Sequence, residues 1–401
     1  MAGGIFEGLK VLDCASFIAA PAAATVLADF GAEVIKIEPP GSGDPYRHLP
    51  KLPGYPISPH NYAWLLESRN KRSLALDLAK AEARAVLYRL ASEADVFITN
   101  YPPAVRKRLG IAYDDIKPLN RRLIYASFTG YGEKGEEADK PGFDSNAYWA
   151  RSGLMDLVRA DENTTPARSV PGMGDHPCAM AFYGAIVTAL YKRERTGEGS
   201  HVATNLMANG VWAAGVLAQA KLCGAKFQPR RPRERALNAV TNHYRCKDGR
   251  WLILSLLNEE RQWPVLARCM GREDLINDPR FATKPDRHAR SLELIAIFDE
   301  IFAAKELAEW RKILDGNGLV FGVVGILDDI PSDGQMIEND VLVPFENDTM
   351  LTINSPIWVE GSEKVKPKRP PEIGEHSEEI LREAGYDEAT IRGLKASGAL
   401  A

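Results

Sequence analysis

The chain has 401 residues, 45% of them hydrophobic, which is enough for a substantial core spread over two or three domains. Its formal net charge of -4 excludes a general electrostatic attraction to nucleic acid or anionic lipid. The five cysteines include no C-x-x-C pair, the N-terminus lacks a signal-peptide pattern, and the longest apolar run, Met180–Leu190, is too short to cross a bilayer. We therefore expect a cytoplasmic globular protein with neither a nucleic acid nor a membrane partner.

Strands and helices alternate through the first half of the chain. The pattern predicts a buried strand at Lys10–Cys14, a helix at Pro21–Phe30 and a second strand at Glu33–Glu38, which together form a β-α-β unit. Further strands are predicted at Ser73–Leu78, Asp95–Thr99, Arg122–Phe128 and His201–Asn205, with helices at Lys80–Ala91 and Leu206–Cys223. This alternation predicts an α/β fold with a largely parallel, doubly wound sheet.

The composition changes after residue 225. Lys226–Arg235 is rich in arginine and proline and is interpreted as a linker, and Thr241–Cys246 with Trp251–Ser255 predicts a hairpin. Helices are expected near 259–270 and 286–316, so this part is predicted to be a smaller α+β domain. Gly374–Gly385 has a helical period, and we expect it to pack back on the first domain.

A glycine-flanked turn presents one carboxylate at the start of a long helix. In Pro171-Gly-Met-Gly-Asp-His-Pro177 the glycines permit close approach, and a helix of about five turns is predicted to follow Asp175 and to stop at Gly197. Position alone favours an N-cap role for Asp175, in which its side chain bonds the free amides of the first turn. A helix N-terminus also favours the ionised carboxylate that a nucleophile requires. Local sequence leaves both roles open.

Common catalytic motifs are missing from the sequence. It contains no G-x-x-x-x-G-K-[ST], no G-x-G-x-x-G at a strand-to-helix junction, no H-E-x-x-H and no G-x-S-x-G, and its seven histidines are scattered. We therefore expect no metal site and no tightly bound cofactor, and a mechanism based on a carboxylate remains open.

Basic clusters and glycine loops are expected near the sheet's carboxyl edge. Arg69–Arg72 and Arg106–Arg108 are candidates for binding phosphate, although each cluster alone is more typical of solvated surface charge. Thr129–Gly135 and Lys140–Asp144 follow another predicted strand end. In a doubly wound sheet such segments line the ligand crevice, so together they favour a binding site there.

The ordered set of motifs resembles the class III CoA-transferases, also called the CaiB/BaiF family, over nearly the whole chain. The segments that carry the resemblance are Gly8–Asp13, Gly31–Glu38, Gly41–Asp44, Asn70–Ser73, Gly130–Gly132, Gly174-Asp175, Arg195–Gly199 and Gly374–His376. The resemblance implies a Rossmann-like large domain that binds CoA, made of residues 1–222 and a return segment at 331–401. It also implies a small domain with linkers at 223–330, and a homodimer of interlocked rings.

The resemblance also implies site residues and substrates. Asp175 matches the family's nucleophile, which passes through a mixed anhydride and an aspartyl-CoA thioester while CoA moves from an acyl-CoA donor to a carboxylic acid. Arg108 matches a phosphate-binding arginine. The other residues expected to line CoA or border the thioester are Phe17, Ile18, Leu76, Ala79, Asn100, Tyr101, Gly142, Phe143 and Asp144. Coenzyme A enters only as a substrate, and neither ATP nor metal is required.

Two departures from the family pattern limit which substrates are expected. Pro39 and Ile18 replace an arginine and a glutamine of formyl-CoA transferase, so formyl transfer is not expected. The pattern is most similar to aryllactate and 2-hydroxyisocaproate CoA-transferases. His176 is then a candidate for bonding a hydroxyl group of the substrate. The alternative is that His176 only packs at the start of the helix.

Two other functions remain as alternatives. Racemase relatives use a histidine where Phe143 stands, and phenylalanine cannot carry a proton, which disfavours an acyl-CoA racemase or epimerase. An inactive CoA-binding sensor is the third alternative, and the presence of Asp175 disfavours it.

Overall fold

A six-stranded parallel sheet lies at the centre of the first of two units in the computed structural model, which describes residues 4–401. The first unit contains the chain through Leu157, Ala167–Gly224 and Gly334–Ala401, and the second contains Val158–Pro166 and Ala225–Asp333. Residues 1–3, which belong to the N-terminal stretch and to the large domain predicted above, lie outside the described residues.

The sheet has the strand order β3-β2-β1-β4-β5-β6, with every pair parallel. Its strands are β1 (Lys10–Asp13), β2 (Glu33–Glu38), β3 (Lys71–Ala75), β4 (Val96–Thr99), β5 (Ile124–Thr129) and β6 (His201–Asn205). Most of their residues are buried because helices cover both faces, as parallel sheets require. The predicted α/β class with a parallel sheet is therefore confirmed.

Two helical layers cover the sheet. The helices of this unit's first half are α1 (Ala19–Asp29), α2 (Tyr62–Glu67), α3 (Ala81–Ala91), α4 (Pro103–Leu109), α5 (Tyr113–Ile116), α6 (Leu154–Leu157), α7 (Asp175–Thr196), α8 (Leu206–Ala213) and α9 (Gly215–Leu222). The alanine-rich α1 packs along α7 on one face, and alanine's small side chain permits this close approach. α3 contributes to the core on the other face.

The smaller unit consists of a three-stranded antiparallel sheet and four helices. Its strands are β7 (His243–Arg245), β8 (Trp251–Leu254) and β9 (Phe321–Val323), and its helices are α10 (Glu259–Cys269), α11 (Lys284–Ala289), α12 (Ser291–Phe302) and α13 (Leu307–Gly316). β7 and β8 form the expected hairpin, with Tyr244 opposite Leu252. β9, the third strand, was not expected, because three residues are too few to show a strand period.

The carboxyl-terminal segment returns to the six-stranded sheet. It contains α14 (Gly334–Glu338), the antiparallel pair β10 (Leu342–Pro344) and β11 (Leu351–Ile353), α15 (Ser377–Glu383) and α16 (Glu388–Ala396). Arg72 forms ion pairs with Glu379 and Glu383 of α15, and Leu76 pairs with Leu400 through a β-bridge. The tail therefore covers the same face of the sheet as α3.

Predicted and observed boundaries agree best where the local pattern is strongest. The strands at Glu33–Glu38 and His201–Asn205 have the predicted bounds. The helix predicted from Leu206 to Cys223 divides at Ala214, and the helical stretch 286–316 is three separate helices.

A buried ion network ties the loop after β1 to the loop after β2. The Lys36 ammonium, fully buried in β2, lies 2.7 Å from an Asp44 carboxylate oxygen and 3.8 Å from an Asp13 oxygen, and it donates to the Ala15 carbonyl. Burial alone would lower the pKa of Lys36, but the two carboxylates raise it above its usual range. Lys36 is therefore a permanent cation at the sheet's carboxyl edge, and Asp44 is held beside it.

Candidate active site

The predicted ligand-binding loops meet where the order of the sheet reverses, between β1 and β4. In a doubly wound sheet this topological switch point opens a crevice at the carboxyl ends of the strands. Asn100 follows β4, and its side-chain oxygen and nitrogen bond the amide and the carbonyl of Ser16, at 2.9 and 2.7 Å. Asn100 therefore fixes the loop after β1.

Phe17, in that loop, has a strained backbone with φ of +63°, a conformation that L residues with side chains rarely adopt. Its N–H donates to an Asp44 carboxylate oxygen at 3.1 Å, so the Lys36 network holds the strained residue in place. The Phe17 ring lies edge-on to the ring of Phe143, with centroids 5.5 Å apart. Strain maintained by buried charge is typical of functional sites.

The loop containing Gly142, Phe143 and Asp144 approaches the end of β5 closely. A Cβ on Gly142 would lie 3.0 Å from the Gly130 Cα, so two glycines are needed for this contact. Phe143 is exposed, whereas Asp144, the first residue of a π-helical turn at Asp144–Ala150, is buried. An Asp144 carboxylate oxygen accepts a hydrogen bond from the Gly174 N–H at 3.3 Å, which joins this loop to the turn before α7.

Asp175 is the first residue of α7, and Gly174 is the N-cap. The side chain of Asp175 makes no capping bond to the first turn, so the expected N-cap role is wrong. The N-cap position has no room for an aspartate, because a Cβ at Gly174 would lie 2.7 Å from the ring of Tyr148. The carboxylate thus lies at the positive end of a helix dipole and is not engaged in a capping hydrogen bond.

Burial and neighbouring carboxylates disfavour the ionised form of Asp175. Burial is the largest cause, followed by the negative charge of Asp144, and together with Glu67 they raise the pKa of Asp175 from 3.8 to about 7. His176 acts in the opposite direction. A carboxylate with such a pKa is more basic than a solvated one, and it changes protonation state near neutral pH.

Both ring nitrogens of His176 are already bonded. Nε2 lies 2.6 Å from a carboxylate oxygen of Glu67, and Nδ1 lies 3.0 Å from the Gly172 carbonyl oxygen. A bond from His176 to a substrate hydroxyl would require one of these contacts to break, so the arrangement does not support that expectation. Glu67, at the end of α2, was not predicted, because it is 109 residues away in sequence.

The remaining predicted residues lie further along the same edge. Leu76 is buried where it pairs with Leu400, while Ala79 is exposed just before α3. Tyr101 is half-buried after β4, and burial raises the pKa of its phenol above its usual range. Arg108 is exposed in the last turn of α4. A chain of contacts therefore joins Asp175 to Phe17, Asn100 and the 142–144 loop. It does not include Leu76, Ala79 or Arg108.

The cluster Arg69–Arg72 is not a phosphate site. Arg69 forms a two-bonded ion pair with Asp29, Lys71 bonds the buried Asp13, and Arg72 bonds Glu33 and the tail helix α15. These charges are neither free nor simply solvated, because their partners come from β1, α1, β2 and the tail. These ion pairs could not be predicted because the partners are distant in sequence.

No group of three or more His, Cys, Asp or Glu side chains in residues 4–401 is placed to hold a metal ion, and the expected independence from metal stays a prediction. None of the helices in these residues combines the length and the apolar character needed to cross a membrane.

Comparison with known proteins identifies the family of this chain. The sequence model of the family described as CoA-transferase family III matches residues 6–377. The chain belongs to CoA-transferase family III. This family III protein is 34% identical over 400 residues to the (R)-2-hydroxy-4-methylpentanoate CoA-transferase of Clostridioides difficile, with 98% of each chain covered. The cinnamoyl-CoA:phenyllactate CoA-transferase of Clostridium sporogenes is 32% identical over 400 residues, covering 98% of this chain and 96% of that protein.

A solved structure has the same fold. The crystal structure of a CaiB/BaiF family protein from Brucella suis matches with a TM-score of 0.85 at 26% identity, over 96% of this chain and 100% of that one. The family III protein is therefore an enzyme, a CoA-transferase that uses CoA thioesters as substrates. The racemase alternative gains no support from these relatives, which are named as transferases.

We expect Asp175→Asn to be more stable than the wild-type protein at pH 8, by roughly 1–4 kcal/mol. The folded state of the wild-type protein holds a proton on Asp175 up to about pH 7, whereas the unfolded state releases it near pH 4. Wild-type stability therefore falls as pH rises through this window, and asparagine carries no charge that could cause the same loss. Urea unfolding of both ligand-free proteins between pH 4 and 8 measures the difference.

The control for this experiment is Asp114→Asn, which removes an exposed carboxyl group of α5 and should change stability by less than about 0.5 kcal/mol at either pH. A stability difference between Asp175→Asn and wild type that stays constant from pH 4 to 8 would contradict the raised pKa.

Proposed function

We propose that the family III enzyme moves CoA from an acyl-CoA donor to an organic acid, with Asp175 as the nucleophile. An Asp175 oxygen attacks the thioester carbonyl carbon of the donor, the C–S bond breaks, and CoA leaves as a thiolate from a mixed anhydride. The thiolate then attacks the aspartyl carbonyl carbon of the anhydride. The donor acid leaves as a carboxylate, and an aspartyl-CoA thioester remains.

The second half of the reaction reverses these steps with the acceptor acid. The acceptor carboxylate attacks the aspartyl carbonyl carbon, CoA thiolate leaves, and a second anhydride forms. Thiolate attack on the acceptor's carbonyl carbon yields acceptor-CoA and restores the Asp175 carboxylate. No net proton is taken up or released, and because the acyl bonds exchanged are of similar reactivity, no external energy source is needed.

The observation that carries this proposal is the uncapped carboxylate of Asp175 at the carboxyl edge of the sheet. The side chain lies at the start of α7 without a capping bond, and its raised pKa makes it a stronger nucleophile than a solvated carboxylate. It is linked through Gly174 and Asp144 to the Phe17 loop at the switch point. A nucleophile and a ligand crevice thus adjoin, as acyl transfer requires.

We propose that CoA extends from this point along the sheet edge. The thioester end would be bordered by Phe17, Ile18, Tyr101 and the 142–144 loop. Asn100 would hold the loop after β1 through its bonds to Ser16. The guanidinium of Arg108 is exposed and makes no ion pair or hydrogen bond to any residue in 4–401, so it is available for a CoA phosphate. Leu76 and Ala79 would contribute backbone and apolar surface at the end of β3.

We propose that the acids are 2-hydroxy or aryl acids. The two reported relatives are named for (R)-2-hydroxy-4-methylpentanoate and for cinnamoyl-CoA and phenyllactate. The exposed ring of Phe143 against the ring of Phe17 offers an apolar surface beside Asp175, which suits a branched or aromatic acyl group.

We propose an obligate homodimer of interlocked rings, with a large CoA-binding domain at 1–222 and 331–401 and a small domain at 223–330. Exposed apolar side chains support an interface on α8 and α9, because Trp212, Val216 and Leu222 are 86%, 85% and 82% exposed in the single chain.

We expect sedimentation equilibrium to show a dimer at every concentration at which the chain is folded. A folded monomer would contradict the proposal.

Loss of the nucleophile tests the reaction itself. We expect Asp175→Ala to lower turnover by roughly 10⁴-fold or more while the protein stays folded, because it removes the carboxylate that forms the proposed covalent intermediate. Incubation of the wild-type enzyme with acyl-CoA and hydroxylamine should convert Asp175 to a hydroxamate that peptide mass spectrometry detects.

The matched control is Asp114→Ala, which removes an exposed carboxyl group and should keep full turnover. Full turnover in folded Asp175→Ala, or an unmodified Asp175 peptide after repeated trapping, would exclude Asp175 as the nucleophile.

A further inference from the structure

The bonding of His176 determines its charge. Its two ring nitrogens face a Glu67 carboxylate oxygen at 2.6 Å and the Gly172 carbonyl oxygen at 3.0 Å. A carbonyl and an ionised carboxylate accept hydrogen bonds and cannot donate them, whereas a neutral imidazole has a single N–H. Both contacts are therefore hydrogen bonds only when the ring carries two protons and a positive charge, or when Glu67 itself holds the proton.

The surroundings of Glu67 favour the charged pair. The Glu67 side chain is 3% exposed at the end of α2, and its ion-pair partner among residues 4–401 is His176. An isolated buried carboxylate is costly, whereas a hydrogen-bonded ion pair offsets much of that cost. Burial would lower the pKa of His176, but the bond and the charge of Glu67 outweigh it and raise this pKa above its ordinary value.

The groups around Asp175 are mostly negative or neutral. Asp144 faces it from the π-helical turn and Glu67 from α2, while the phenol of Tyr46 and the thiol of Cys178 are close enough to feel its charge. The imidazole of His176 is the group whose positive charge favours ionisation of Asp175. Without that charge Asp175 would face two other carboxylates and no compensating positive group.

His176 also holds the turn that presents Asp175. The Gly172 carbonyl accepts both the Nδ1 bond and the backbone N–H of His176, at 3.0 Å each. Gly172 has φ of +79°, and a Cβ there would lie 2.7 Å from the ring. One edge of the half-exposed ring therefore lies against Gly172, and its two hydrogen bonds join Glu67 to the 171–174 turn.

We propose that Glu67 holds the His176 ring as an imidazolium, and that this ion pair is the positioning device that compensates the charge of Asp175 and fixes the 171–174 turn. Glu67 and His176 act through Asp175 and are positioning residues rather than catalytic ones. The proposal rests on the proposed role of Asp175 as the nucleophile, but the charge of His176 can be measured without any turnover.

The first test is a titration by NMR of the ligand-free enzyme labelled at histidine Cε1, with the His176 signal assigned from its loss in His176→Gln. We expect the His176 midpoint to lie at least about one pH unit above that of free histidine, and to fall by about one unit or more in Glu67→Gln. A neutral His176 at pH 7 in the wild-type enzyme overturns the proposal even if Glu67→Gln fails to fold.

The second test is the pH profile of kcat/KM. We expect His176→Gln to move the acid limb upward by roughly half to one pH unit, because Asp175 loses its compensating charge. In Glu67→Gln/His176→Gln the limb should return toward the wild-type position, since the uncompensated carboxylate is gone too. His288→Gln is the matched control, because His288 also bonds a buried glutamate, Glu259 at 2.9 Å, and it should leave the limb in place.

An acid limb that His176→Gln does not move, or a double variant no closer to wild type than the single one, would overturn the proposed charge compensation. Full turnover in Asp175→Ala would instead refute the nucleophile while leaving the NMR result for His176 standing.

Discussion

The cost of burying charge governs this structure, and the enzyme meets it differently at two neighbouring places. The Lys36 ammonium is buried between Asp13 and Asp44, so its charge is fully compensated and the loops around it are fixed. Asp175 is only partly buried, but desolvation and the nearby Asp144, with partial compensation from His176, raise its pKa to about 7. The first arrangement fixes the loops around it, and the second leaves Asp175, the proposed nucleophile, with a raised pKa.

The two arrangements depend on one another through the fold. The strand order places the loops after β1 and β4 at the switch point, and the Lys36 network bonds the first of these loops through Asp44. Phe17 then contacts Phe143, and the next residue, Asp144, bonds the turn that carries Asp175. A shift in the buried network would therefore reach Asp175, the proposed nucleophile, through three contacts.

Local patterns in the sequence predicted the parallel sheet, the helix after Asp175 and the gathering of loops at one edge, because periodicity and turn residues are properties of short segments. They could not predict partners distant in the chain. Glu67 reaches His176 across 109 residues, so the partner of His176 was missed. Arg69 bonds Asp29 across 40 residues, so one candidate phosphate cluster is instead engaged in ion pairs. The N-cap role of Asp175 failed for a packing reason, since the Tyr148 ring requires glycine at the preceding position.

The central claim is that oxygen atoms pass between the substrate acid and Asp175. In the proposed sequence the bridging oxygen of the second anhydride comes from the acceptor and stays on Asp175 when acceptor-CoA leaves. The direct measurement supplies a 2-hydroxy or aryl acceptor acid labelled with ¹⁸O in its carboxylate, allows many turnovers, and weighs the Asp175 peptide. The account predicts ¹⁸O in Asp175 of the active enzyme, whereas repeated turnover with Asp175 unlabelled would contradict it.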